Sequence, residues 1–164
     1  MPWRRDALTG ADTLVLRRLS HLDGDTLSSL VEYGRSALGD SALDEWLLPV
    51  VAACGWLYVG IVGDEIVGAA EVIRCRGEKE LYLEGFYIRP AFQGQGLGGR
   101  LLALVMAELA REGHERITAT RDPANVAAAR LYQAAGFSGS RLLRGYYGPG
   151  RDRLLVSARL GGRP

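Results

Sequence analysis

Histidine and cysteine are scarce in this chain: His21 and His114, Cys54 and Cys75, are the only ones among 164 residues. Two cysteines cannot build a disulfide framework, and a chain of this length buries enough surface not to need one. These four residues also lack the spacing of a zinc site, so no metal is expected. Neither sign of charge is in excess. With 20 basic and 19 acidic residues the net charge is +1, which leaves no long-range field to attract nucleic acid, and no nucleic-acid partner is expected. Unbroken apolar runs are missing too. Residues 46–63 carry no charge, but Pro49, Gly55, Gly60 and Gly63 interrupt them, and the stretch only reaches the lower limit for a membrane span. No apolar core precedes Leu14, so neither a signal peptide nor a membrane partner is expected. The composition points to a cytoplasmic protein with reduced thiols. Residues 1–164 are expected to form one domain, with residues 1–12 as a flexible tail.

Glycine is plentiful, and its placement is informative. The segment Gln93-Gly94-Gln95-Gly96-Leu97-Gly98-Gly99-Arg100 follows an apolar run ending at Ile88 and precedes the leucine-rich residues 101–109. That order reads as strand, glycine loop, helix. Residues without a Cβ let several backbone N–H groups converge on an anion at a helix N-terminus, where the helix dipole adds roughly half a positive charge. The P-loop version of this device is excluded, because no Gly-Lys-Ser/Thr closes the loop and both the phosphate lysine and the magnesium hydroxyl are missing.

Apolar periodicity places strands at 13–19, 56–62, 66–74, 80–88, 116–120, 137–144 and 153–160. Helices are expected at 24–37, at 41–53, from Leu97 to a stop at Gly113, and at 125–135. Gly63-Asp64-Glu65 and Arg76-Gly77-Glu78-Lys79 supply tight turns, so the second to fourth strands form an antiparallel meander. The result is an α/β fold with a mixed central sheet of about seven strands and four helices.

The glycine loop resembles the pyrophosphate loop of the GNAT acetyltransferase superfamily, which runs Gln or Arg, two residues, Gly, one residue, Gly or Ala; Gln93, Gly96 and Gly98 fit it. Ile88-Arg89-Pro90 resembles the apolar-x-Pro step with which that family leaves its fourth strand. Asn125 through Leu131-Tyr132 to Gly136-Phe137 is similar to its Asn…Leu-Tyr…Gly-Phe segment. The resemblance is specific over residues 81–137. It implies the GNAT fold, acetyl-CoA as co-substrate, an amine acceptor, and a monomer or homodimer. In that fold the fourth and fifth strands splay apart, and the pantetheine arm lies between them like an added strand. Carried onto this chain, Phe86, Tyr87 and Ile88 would contact pantetheine, with an N–H near Ile88 placed to stabilise the oxyanion. Gln93, Gly94, Gln95, Gly96, Leu97, Gly98, Gly99 and Asn125 would hold the rest of the cofactor.

Two residues carry the expected chemistry. Tyr132 stands seven residues after Asn125, two helical turns on and nearly on the same face. Its phenol stays protonated at neutral pH and can give a hydrogen bond or a proton to a departing thiolate. Glu84 is the candidate base, acting directly or through water. Regular alternation would put it on one strand face with Phe86 and Ile88, unless a bulge re-aims it; Glu80 and Glu71 are alternatives. Tyr146 and Tyr147 look like the paired tyrosines that line the peptide groove of N-terminal acetyltransferases of the ribosomal-protein-alanine type. Those enzymes carry a glutamate five residues before the Asn, where this chain has Thr120, and an acidic residue where it has Arg151.

The leading expectation is therefore an N-acetyltransferase acting by direct transfer on a primary amine, either a peptide α-amine or a small amine such as a polyamine or aminoglycoside. A non-catalytic acyl-CoA-binding module would keep the glycine loop and dispense with Tyr132 and Glu84. A nucleic-acid-binding domain would use Arg4, Arg5, Arg17, Arg18 and the C-terminal arginines, against a net charge near zero.

Overall fold

The computed structural model describes residues 13–161; the expected tail at 1–12 lies outside them. Seven strands form one sheet: β1 (Leu14–Leu19), β2 (Trp56–Val62), β3 (Glu65–Arg74), β4 (Glu80–Ile88), β5 (Arg116–Arg121), β6 (Ser138–Leu143) and β7 (Arg153–Arg159). Their order is β1-β2-β3-β4-β5-β7-β6. Every neighbouring pair is antiparallel except β4 and β5, and that parallel pair needs the crossover its sequence supplies, the helix α3 (Leu97–Arg111). The remaining helices are α1 (Gly24–Leu38), α2 (Leu48–Cys54) and α4 (Val126–Ala134).

The sheet has a core on each face. On the first, Leu97, Leu101, Leu102, Val105 and Leu109 of α3 are fully buried against Val67, Val72, Leu81, Leu83 and Ile117, with Leu131 and Tyr132 of α4 beside them. Each such aliphatic side chain contributes about 1.5–3 kcal/mol. On the second face, Leu30, Val31, Leu48 and Val51 of α1 and α2 cover Leu57, Val59, Ala69 and Tyr87.

Two expectations are corrected. The second helix does not run from residue 41. Residues Gly39–Ser41 form a single 3-10 turn, and the Asp44 carboxylate accepts from the N–H groups of Trp46 and Leu47. Pro49 then sits in the first turn of α2, where its missing N–H costs nothing, so the helix starts at Leu48. The other correction concerns Glu84. Val72 pairs with Leu83 and Glu71 with Gly85, so Glu84 is an extra residue in a β-bulge. Leu81, Leu83, Phe86 and Ile88 consequently all serve the first core. Glu84 does not share their face.

Candidate active site at the strand splay

The parallel β4–β5 ladder runs from the Glu80/Arg116 pair to the Leu83/Ala119 pair and stops. It stops at the bulge. Beyond it, β4 continues to Ile88 paired with β3 alone, so its other edge is open. The direction of its backbone groups follows from one bond: Arg89 N donates to Val67 O at 2.8 Å, toward β3. Antiparallel pairs alternate between bonded and non-bonded, which turns the N–H and C=O groups of Phe86 and Ile88 away from β3 into the gap. The Gln93 side chain takes the Ile88 carbonyl at 2.9 Å and leaves its N–H. Tyr87 alternates the other way. Its ring is buried in the second core and its hydroxyl donates to Leu30 O, so of the three β4 residues expected to meet a pantetheine arm, only Phe86 and Ile88 turn backbone groups to the gap.

Above the gap stands the N-terminus of α3. Gly96 caps it with φ +73°, no side chain satisfies its first N–H groups, and its first turn holds no acidic residue. Gly94 and Gly96 both lie in the left-handed region, and a Cβ on either would meet nothing within 4 Å. Glycine at these positions therefore serves the backbone path and keeps an unobstructed ring of donors. Gly98, by contrast, faces Ile88 and Leu131: a Cβ there would meet both at 3.6 Å, an ordinary contact, so α3 starts packed against β4 and α4. Gln95, Leu97 and Gly99 complete the loop; Leu97 is buried in the first core and fastens the helix start.

The second face carries the acidic groups. Glu71 of β3 is 4% exposed, with no hydrogen bond or ion pair to another of the described residues. Gly85 makes room for it: a Cβ there would overlap the Glu71 carboxylate. Burial first, and then the charge of Glu84, push its pKa up to about 7. Glu84 itself is exposed at the bulge, and partial burial of its carboxyl raises its pKa as well. Beside them the Tyr82 hydroxyl lies 2.9 Å from Thr120 Oγ1, and burial foremost raises its pKa, with Tyr147 and Glu84 contributing. The threonine that replaces the expected fifth-strand glutamate is thus tied to a tyrosine of β4.

A folded-state pKa above the ordinary carboxylate value means that the native protein holds the Glu71 proton more tightly than the unfolded chain. Its stabilising contribution is complete below about pH 4.5 and is lost as pH rises through about 7. Glu71→Gln should therefore flatten the fall in stability across that window, read as denaturation midpoints at pH 4.5 and 8. An unchanged slope would show that Glu71 ionises at no cost.

Tyr132 lies on the opposite face from Glu71. Its ring packs at the edge of the first core with its centroid 5.0 Å from that of Phe137, and burial pushes the phenol up to about 12. Its hydroxyl has no hydrogen bond to another of the described residues. Asn125 is the α4 cap, its Oδ1 accepting from Ala128 N at 2.9 Å, so the side chain is engaged in starting the helix that carries Tyr132. Tyr146 and Tyr147 are half-exposed in the β6–β7 loop, ring centroids 4.9 Å apart, with the Arg153 guanidinium over Tyr147. Among these, Tyr147 lies near the Tyr82 hydroxyl, whose acidity it helps to lower. Sequence reasoning missed Tyr82, whose only signal was its place two residues before Glu84 in a strand.

Residues 25–137 match the acetyltransferase (GNAT) family. The chain belongs to that family. A search of curated proteins found no match. Solved structures agree on the fold. The ribosomal-protein-S18-alanine N-acetyltransferase of Escherichia coli superimposes with a TM-score of 0.76 over 93% of this chain and 97% of its own, at 19% identity. Ard1 from Thermoplasma volcanium does so with a TM-score of 0.79 over 91% and 99%, at 15% identity. A GNAT family acetyltransferase from Elizabethkingia anophelis, solved with acetyl-CoA bound, gives a TM-score of 0.73 over 91% and 99%, at 17% identity. Among the described residues no helix is long and apolar enough to cross a membrane, and no group of three or more metal-ligating side chains is assembled.

Proposed function

We propose that this protein transfers the acetyl group of acetyl-CoA directly to a primary amine within a ternary complex. The observation that carries the reading is the junction at Glu84, where the parallel ladder ends, the β4 edge opens, and the bulge sets carboxylates on one face while Tyr132 occupies the other. The uncapped start of α3 would receive the pyrophosphate on the N–H groups of the Gly94–Gly99 segment. Phe86 and Ile88 would pair with the pantetheine arm, and the free Ile88 N–H would face the thioester oxygen as negative charge develops there.

The amine arrives mostly protonated, so a base must act before it can attack. Glu84, exposed at the bulge, takes that proton directly or through a water. Tyr132 donates a hydrogen bond to the sulfur as it leaves. Two carboxylates near an exposed tyrosine pair favour an acceptor that carries positive charge, whether a peptide N-terminus or a small polyamine or aminoglycoside. The test is thiol release from acetyl-CoA with a panel of N-terminal peptides, polyamines and aminoglycosides. Turnover with at least one class is expected; tight acetyl-CoA binding with no turnover across the panel would leave a non-catalytic binding module.

A further inference from the structure

We propose that Glu71 and Glu84 act as one carboxylate pair that receives a single proton from the acceptor ammonium, with Glu71, buried behind the Gly85 gap, as the positioning member. This rests on the transferase reading above and extends it to a residue on a different strand. Three features of the fold bring the two groups together: the bulge that inserts Glu84 beside the Glu71/Gly85 pair, the absent side chain at Gly85, and a Glu71 residue that is 4% exposed and makes no hydrogen bond or ion pair to another of the described residues. Among the described residues no buried side-chain oxygen or nitrogen is sealed off without a partner, yet the surroundings of this carboxylate disfavour its charge. Its neighbours offer no relief. From β4 it faces Glu84 and Tyr87, and the Tyr87 hydroxyl is spent on Leu30 O. From β2 its partner is Leu57, and α2 presents Leu48, Val51 and Ala52. Tyr33 of α1 and Arg89 act on Tyr87 and not on Glu71; the Arg89 guanidinium lies 3.9 Å over the Tyr33 ring and bonds to Glu65 and Ile66 O.

The proton balance is as follows for an acceptor R–NH3+. One N–H bond gives its proton to the doubly ionised pair, which passes from two negative charges to one. The freed lone pair forms the C–N bond at the thioester carbonyl as the C–S bond breaks, and the second proton lost by nitrogen ends on the departing thiol. The pair then returns its proton to water through Glu84. Because burial and the Glu84 charge hold Glu71 near pH 7, the doubly ionised form is lost as pH falls through 7, and the pair titrates as a unit.

Carboxyl NMR of glutamate-labelled free protein tests the pair without needing turnover. One carboxyl should titrate near pH 7, vanish in Glu71→Gln, and move to lower pH by on the order of one unit in Glu84→Gln, which removes the like charge. In kinetics, Glu71→Gln should lower kcat/KM about tenfold at pH 7.5 and displace the acidic limb, with acetyl-CoA affinity retained as the control for folding. A Glu71 resonance that titrates at the same pH with and without the Glu84 charge, or an acidic limb unmoved in both variants, would overturn the pairing. An enzyme inactive on every amine but showing the coupled titration would instead overturn the transferase reading.

Discussion

Gly96→Glu is expected to abolish acetyl-CoA binding in a protein that still folds. Gly96 sits at φ +73°, so any side chain there is strained, by about 1–2 kcal/mol. A Cβ there meets nothing within 4 Å, so the substitution starts without a clash and its carboxylate can reach the start of α3. That carboxylate would complement the helix dipole and recover part of the strain. It would also hold the place of the pyrophosphate. At about 4 Å and an effective dielectric of about 20, each unit of like charge costs about 4 kcal/mol, roughly a thousandfold in affinity. Gly96→Ala carries the strain without the charge and should lose far less. Calorimetric titration with acetyl-CoA, alongside circular dichroism, separates the two; parental affinity in folded Gly96→Glu would reduce the loop to a tight turn.

The parts of this fold that are legible in the sequence are those in which one local rule acts alone. The four-residue recurrence of Leu97, Leu101, Val105 and Leu109 marked a helix because those side chains share one stripe, and all four are buried. The turn at Gly63 marked a hairpin because its backbone takes a positive φ. The glycine loop was legible for the same reason, since Gly94 and Gly96 adopt conformations other residues rarely enter. The start of α2 was misread because an apolar run continues through Trp46 and Leu47, and the Asp44 turn that delays the helix is a side-chain bond.

The site was harder to read because it depends on pairings between strands. A glutamate in a β-strand is ordinarily a solvated charge, and nothing in the local sequence separates Glu71 from Glu84. Their roles diverge only when β3 pairs with β4. The bulge inserts Glu84 into the edge, and Gly85, which locally reads as a flaw in a strand, becomes the space for a buried carboxylate. Asn125 shows the converse. Its seven-residue spacing to Tyr132 is real, yet the Asn125 Oδ1 is consumed by the α4 cap, so the spacing records how the helix begins as much as what it binds.

Tyr132→Phe should lower kcat about 10²-fold and leave acetyl-CoA affinity nearly unchanged. The ring stays, held against Phe137 and the first core, so packing is conserved and only the hydroxyl is removed. What that hydroxyl does is constrained by its acidity. Burial pushes the phenol up to about 12, whereas a free thiol ionises near about 8.5. Full proton transfer from Tyr132 to a departing thiolate would run uphill by several pKa units, at about 1.4 kcal/mol each. The phenol therefore keeps its proton and stabilises the sulfur by donating a hydrogen bond, while the proton that completes the thiol comes from the attacking nitrogen. A hydrogen bond to an ionised group contributes about 1.5–3 kcal/mol, which matches a loss of about 10–150-fold. It follows that the variant keeps the acidic limb set by the Glu71 and Glu84 pair, because Tyr132 titrates outside the working range. Steady-state kinetics from pH 6 to 9, with calorimetry for acetyl-CoA, checks both statements. An unaltered kcat would return Tyr132 to a purely structural role, and a limb displaced by this substitution would place the phenol in the proton path after all.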